Sequence, residues 1–166
     1  VSRIHAPLVS ADTLAAVRAA KALGAVVDRG TDAVWTVAGT GGDLHQPAGV
    51  IDMANSGTSI KIFAGLAALR PFPASFDGDE SLRSRPMAHL LSALEKLGVK
   101  TEASFGRCPF TVEGPMTNGT TLVNGESSQY VTAILLSAPF AEQDTVIEVE
   151  NLNEKPYVEI TLGWMK

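Results

Sequence analysis

Residues 55–69 read Asn55-Ser56-Gly57-Thr58-Ser59-Ile60-Lys61-Ile62-Phe63-Ala64-Gly65-Leu66-Ala67-Ala68-Leu69. Asn55 and Ser56 are both favoured helix caps, and a helix is predicted from there to about Leu69. Its apolar members, Ile60, Ile62, Phe63, Leu66 and Leu69, lie nearly all round the axis. A helix that is apolar all round is buried all round, which places this segment inside a layered domain. The same pattern returns at an offset of 72. Ser127-Ser128-Gln129 opens a second apolar helix with Tyr130, Val131, Ala133, Ile134, Leu135 and Leu136, and Pro139 stops it.

Working outward, more of the chain repeats. Leu23-Gly24-Ala25 follows a predicted helix over Ser10–Leu23, and Leu97-Gly98-Val99 follows another at an offset of 74. In both, glycine supplies the left-handed stop. Pro86 and Pro156, 70 apart, both stand where a helix is expected to start, proline being favoured at the first position. Concordant offsets indicate a tandem unit of about that length. Short strands are expected near 25–28, 34–38, 74–77, 99–103, 110–112, 120–123 and 144–149, with Asn118-Gly119 as a turn. Helices alternating with short strands describe an α/β (α+β) chain. With no long linker and no low-complexity stretch, residues 1–166 form a single domain.

Composition limits the function. The 166 residues are 45% hydrophobic and include one cysteine, Cys108, so no internal disulfide can form. A reduced, cytoplasmic setting fits. No apolar run is long enough to cross a membrane, and the N-terminus lacks a signal-peptide core. A net charge of −5 argues against nucleic acid as a partner, yet leaves small anions open, because a site's local field can oppose the net charge. The first residue is not Met, and the segment 156–166 reads as a helix without a stop signal. A chain cut from a longer one is therefore expected.

The chemistry concentrates at helix starts, whose unpaired N–H groups and positive dipole ends suit anions. Four starts combine small polar residues with a cation or an amide: Asn55-Ser56-Gly57-Thr58-Ser59-Ile60-Lys61, Arg83-Ser84-Arg85-Pro86, Ser127-Ser128-Gln129 and Lys155-Pro156-Tyr157. Each alone is ordinary capping or a solvated charge. In a repeat, however, the starts share one face, and Lys61 and Arg85 would make that face a seat for a multiply charged anion. Gly57 would let such an anion approach the backbone with no Cβ in the way. Gly39-Thr40-Gly41-Gly42 lacks the ending of a phosphate-binding loop and is a turn. His5, His45 and His89 have no metal-ligand spacing, and His89 is a packing residue. Cys108 is a half-buried small residue beside a strand. No Ser–His–Asp or paired-carboxylate arrangement is present, and no cofactor or metal is called for.

Four ordered motifs carry a resemblance. Asn55-Ser56-Gly57-Thr58, then Gly78-Asp79-Glu80-Ser81-Leu82-Arg83-Ser84-Arg85-Pro86-Met87, then Ser127-Ser128-Gln129-Tyr130-Val131-Thr132-Ala133, then Lys155-Pro156-Tyr157-Val158-Glu159-Ile160-Thr161 closely resemble the EPSP synthase family over the whole chain. The resemblance implies the enolpyruvyl transferase fold. That fold has two similar domains, each of three βαβαββ units, with buried parallel helices whose N-termini face the cleft between domains. This chain would hold about two units and the tail of another. An upstream segment bearing Lys-Ser and Arg ligands would be absent, as would the second domain with its proton-transfer groups. The implied reaction transfers the enolpyruvyl group of phosphoenolpyruvate to the 5-hydroxyl of shikimate 3-phosphate and releases phosphate. Carried over by position, Gly57, Arg85 and Gln129 would bind phosphoenolpyruvate. Ser127, Ser128, Gln129 and Tyr157 would bind shikimate 3-phosphate. Asn55 and Lys61 would support them. No catalytic acid or base is expected in this chain, so alone it would be inactive.

Two residues depart from the family pattern. Glu154 stands where many relatives have a serine that contacts the shikimate phosphate, so an acid there must turn away or the site differs. Lys61 stands where arginine is frequent, which keeps the charge and loses the fork. One rival is the UDP-N-acetylglucosamine enolpyruvyl transferase, which usually carries a cysteine in the loop before its Arg-Pro segment. Here residues 78–84 have none, and Cys108 lies well downstream. The other is a non-catalytic anion-binding or structural domain.

Overall fold

The computed structural model describes residues 1–30 and 33–166. Strand β1 (Ser2–His5), helix α1 (Ala11–Ala22) and strands β2 (Val26–Asp28) and β3 (Val34–Ala38) come first. Next are β4 (Ile51–Asp52), α2 (Gly57–Ala67), β5 (Pro73–Asp77), the short α3 (Glu80–Ser84), α4 (Ala88–Lys96), β6 (Lys100–Ser104) and β7 (Arg107–Glu113). The chain closes with β8 (Thr120–Asn124), α5 (Ser128–Ser137), a 3-10 turn, β9 (Val146–Glu150) and α6 (Lys155–Trp164).

The sheets make the repeat explicit. β4-α2-β5-α4-β6-β7 is a complete βαβαββ unit, with strand order β4-β5-β7-β6, β4 parallel to β5 and the other pairs antiparallel. β1-α1-β2-β3, in the order β1-β3-β2 and antiparallel throughout, has the topology of the last four elements of that unit. β8-α5-β9-α6, with β8 parallel to β9, has the topology of the first four. Gly24 and Gly98 close the equivalent helices α1 and α4 at φ +101° and +90°, each behind a buried leucine, Leu23 and Leu97. The offset read from these glycines is thus the spacing of two copies of one corner.

Helices α2 and α5 form the centre. Ile60, Ala64, Ala67, Ala133 and Ile134 are fully buried, and burying each isoleucine contributes roughly 1.5–3 kcal/mol. Lys61 meets Gln129, and four residues on Gly65 faces Ala133, so the two helices run parallel and start at the same end. A Cβ on Gly65 would lie 2.7 Å from the Ala133 carbonyl oxygen, so only glycine permits this approach. Helix α6 runs parallel to α5 by the same logic, with Glu154 against Ser128 and Thr161 against Thr132.

The structure corrects several expectations. β1 is exposed at every residue and β4 has two residues, so neither carries a burial pattern that a sequence displays. Helix α3 was not anticipated. The helix expected at Arg85-Pro86 begins only at Ala88, with Met87 in the cap position. Arg85 is extended at ψ 139°, as a residue before proline prefers, and the Met87 N–H donates to the Gly106 carbonyl. Pro86 therefore lies before its helix, whereas Pro156 lies within the first turn of α6. The proline pair marks equivalent corners, not equivalent helix positions. Among the described residues, no helix is long and apolar enough to cross a membrane.

Candidate functional site

The parallel start of α2, α5 and α6 gathers most of the singled-out residues on one face. At α2, Ser56 is the cap, and its hydroxyl accepts from the Ser59 N–H at 3.4 Å. Gly57 is buried in the first turn, directly under Arg85. A methyl added there would overlap the Arg85 Nη1. Arg85 reaches back from the extended link and donates to the Asn55 side-chain carbonyl at 2.6 Å. Asn55 in turn donates to Asp79 at 2.9 Å, and Asp79 caps α3 by accepting from the Leu82 N–H at 2.8 Å. A relay from the α3 cap thus fixes the Arg85 guanidinium over the α2 N-terminus. Arg83, the other cation of that segment, is engaged in a bidentate pair with Asp77, which leaves Arg85 as the arginine of the site.

A second chain of hydrogen bonds joins α2 to α5. Lys61 donates to the Gln129 side-chain carbonyl at 2.7 Å, and the Gln129 amide donates to the Thr58 hydroxyl at 2.8 Å. Lys61 is only 7% exposed and lies 5.5 Å over the Tyr130 ring, whose hydroxyl donates to the Pro86 carbonyl. Burial first, and the Arg85 charge second, hold the Lys61 ammonium below its ordinary value, with Glu154 partly opposing them. Two cations share one small region, an arrangement that relaxes when an anion binds between them.

At α5 the picture differs from the simple cap expected. Ser127 occupies the cap position, but its side chain makes no capping hydrogen bond. Glu154 takes that role across space. Its carboxylate accepts from the buried Ser128 hydroxyl at 2.8 Å and lies 3.4 Å from the Ser128 N–H. The Glu154 carboxylate therefore points into the site. Tyr157 is 62% exposed and, with Thr58, Ser128, Gln129 and Glu154, lines a cleft of about 440 Å³. The shared face is real, but three helix starts are already engaged by side chains, α2 by Ser56, α3 by Asp79 and α5 by Glu154, while α6 has no side-chain cap.

Sequence inspection assigned no role to Thr58, Asp79 or Tyr130. The Asp79-Glu80-Ser81-Leu82 stretch carried a cap signal for α3, which could have exposed Asp79. The contacts of Thr58 and Tyr130 depend on which faces of α2 and α5 meet. Gly41 and Gly42 sit at φ +65° and +93° in a turn. His89 is exposed, edge-on to the Tyr130 ring and 3.7 Å from a Glu126 carboxylate oxygen, so it is not a core packing residue. Cys108 is buried, and burial, then Asp77, push its thiol above the ordinary range, away from reactivity. No group of metal-ligating side chains occurs among the described residues.

Comparison with known proteins agrees with this fold. The family model described as EPSP synthase (3-phosphoshikimate 1-carboxyvinyltransferase) matches residues 1–166. The chain is 44% identical to the 3-phosphoshikimate 1-carboxyvinyltransferase of Methanocorpusculum labreanum, an alignment covering 99% of this chain and 40% of that protein. It is 39% identical to that of Acetivibrio thermocellus, over 99% of this chain and 39% of that protein. The solved structure of EPSP synthase from Acinetobacter baumannii superposes with a TM-score of 0.81 at 26% identity, over 95% of this chain and 36% of that one. The chain spans about 40% of the length of the curated relatives it matches. On a family match along its whole length and a shared repeat fold, the chain belongs to the EPSP synthase (3-phosphoshikimate 1-carboxyvinyltransferase) family.

Proposed function

We propose that this chain is a single, incomplete domain that supplies one wall of an enolpyruvyl transfer site, in a protein that joins phosphoenolpyruvate to the 5-hydroxyl of shikimate 3-phosphate. The observation that carries this reading is the pair of linked helix starts. Arg85 is held over Gly57 through Asn55, and Lys61 is tied through Gln129 to the head of α5. Arg85 clamps the phosphate and carboxylate of phosphoenolpyruvate with its planar fork, beside the Gly57 backbone. Gln129, bonded to both Lys61 and Thr58, lies between the two ligands. Ser127, Ser128 and Tyr157 form the shikimate 3-phosphate side. Attack of the 5-hydroxyl oxygen on C2, with loss of the hydroxyl proton to a base and protonation of C3, gives a tetrahedral intermediate. Loss of the C3 proton and of phosphate then yields the enol ether. The cations stabilise the negative charge on the phosphates throughout, while proton transfer falls to groups of a second domain. No cofactor or metal is needed, and the setting is cytoplasmic.

Steady-state kinetics of Arg85→Ala in the complete enzyme tests the reading. Loss of a bidentate, charge-assisted contact of about 1.5–3 kcal/mol raises the KM for phosphoenolpyruvate roughly 10- to 100-fold. The KM for shikimate 3-phosphate stays near wild type. Equal losses for both ligands would contradict the assignment.

A further inference from the structure

Glu154 is the only carboxylate lining the cleft beside α5 among the described residues. Its Oε2 accepts from the Ser128 hydroxyl at 2.8 Å and lies 3.4 Å from the Ser128 N–H. Ser128 is buried, so its hydroxyl has this carboxylate as its partner instead of solvent. Glu154 stands in the cap position of α6 but makes no side-chain capping bond there. Its engagement is thus with the neighbouring helix and not with its own. Its charge also reaches Lys61, which it stabilises in the protonated form.

We propose that Glu154 is an internal anion competing with the phosphate group of shikimate 3-phosphate for the head of α5, and that this competition sets both affinity and selectivity for the phosphorylated ligand. The inference rests on the ligand assignment proposed above. A phosphate and a carboxylate cannot both accept from one hydroxyl and one N–H, and two anions at that distance repel. Ligand binding therefore requires the Glu154 side chain to leave. The route is open, because Glu154 is exposed and gives up no cap on α6. Lys155 beside it is solvent-exposed and, among the described residues, forms its ion pair along α6 with Glu159, so a cation is at hand for the displaced carboxylate. An unphosphorylated cyclohexene carboxylate with a hydroxyl in the same place meets no such repulsion, since a hydroxyl can donate to Glu154.

The test is calorimetric binding of shikimate 3-phosphate and of shikimate to the full-length protein carrying this chain, as wild type, Glu154→Gln and Glu154→Ser. Phosphate release with phosphoenolpyruvate is assayed alongside. Glutamine keeps the shape and an acceptor but removes the charge, and serine opens the seat. Both variants are expected to bind shikimate 3-phosphate about tenfold more tightly, with shikimate unchanged or weaker. The melting temperature of Glu154→Gln should stay near wild type, because glutamine keeps an acceptor for the buried Ser128 hydroxyl. A purely structural role for Glu154 would not move the ratio of the two affinities. Unchanged or weaker shikimate 3-phosphate binding in Glu154→Gln, while wild type still releases phosphate, overturns this inference alone. No binding and no release by wild type or either variant overturns the ligand assignment as well.

Discussion

At the scale of single residues, the site is held by contacts with no spare room. Gly57 lies under Arg85 so closely that one methyl would overlap the guanidinium. Gly57→Ala must therefore displace Arg85, break its bond to Asn55, or both. The expected result is a KM for phosphoenolpyruvate raised about tenfold, equivalent to about 1.4 kcal/mol, with the KM for shikimate 3-phosphate little changed. Gly39→Ala is the control, because a methyl there meets nothing within 4 Å. Steady-state kinetics of the two variants in the complete enzyme decides the point. A Gly57→Ala enzyme as indifferent as Gly39→Ala would show that Arg85 does not depend on this seat. Gly57 and Arg85 could be singled out from sequence because residue type at a helix start carries chemical meaning. The direction of Glu154 could not. Whether it faced solvent or Ser128 was decided by the parallel packing of α5 and α6, which no local pattern records.

At the scale of elements, the registration of α2 against α5 places the site. Gly65 is its contact point: a Cβ would lie 2.7 Å from the Ala133 carbonyl oxygen and 2.9 Å from the Ser137 hydroxyl. Gly65→Ala improves helix propensity by about 1 kcal/mol, but overpacking against rigid backbone costs about 1–3 kcal/mol. The net expectation is destabilisation with a loosened Lys61–Gln129 bond. Gly163→Ala in α6 meets nothing within 4 Å, so propensity alone acts and stability rises by up to about 1 kcal/mol. Denaturant unfolding of the two variants should show opposite shifts in midpoint. A stabilised Gly65→Ala would mean that the helices part without cost. The same contrast explains what was legible in the fold. Both central helices declared themselves through all-round apolar patterns, and Gly24 and Gly98 declared the repeat. The strands β1 and β4 did not, because one is exposed at every residue and the other is too short to alternate. Pro86 misled because proline favours the first turn of a helix and equally favours an extended residue before it, and here the extended link won.

At the scale of the whole molecule, the charge of the site face and the exposed face of α6 carry the argument. The site face offers Arg85, Lys61 and polar donors, and its carboxylates are already engaged. The Leu82 N–H, then the Asn55 amide, hold Asp79 below the ordinary carboxylate range, so it stays ionised near neutral pH and is not a proton donor there. The repeat shows where more polypeptide would pack. In the complete unit, α4 buries Leu90, Leu91 and Leu94 and packs beside β6 and, in the next unit, β8. Its equivalent α6 leaves Ile160 at 56% and Trp164 at 87% exposed. Strands in the places of β6 and β8 would cover that face. The chain alone is therefore expected to release no phosphate from phosphoenolpyruvate and shikimate 3-phosphate. Adding the remaining polypeptide should restore release and shift tryptophan emission to shorter wavelength, since Trp35 is already buried and only Trp164 has solvent to lose. Restored release with unmoved emission would place the added strands elsewhere. Release by the chain alone would show that a proton-transfer group lies among these 166 residues, and Glu154, freed from Ser128, would be the first to replace.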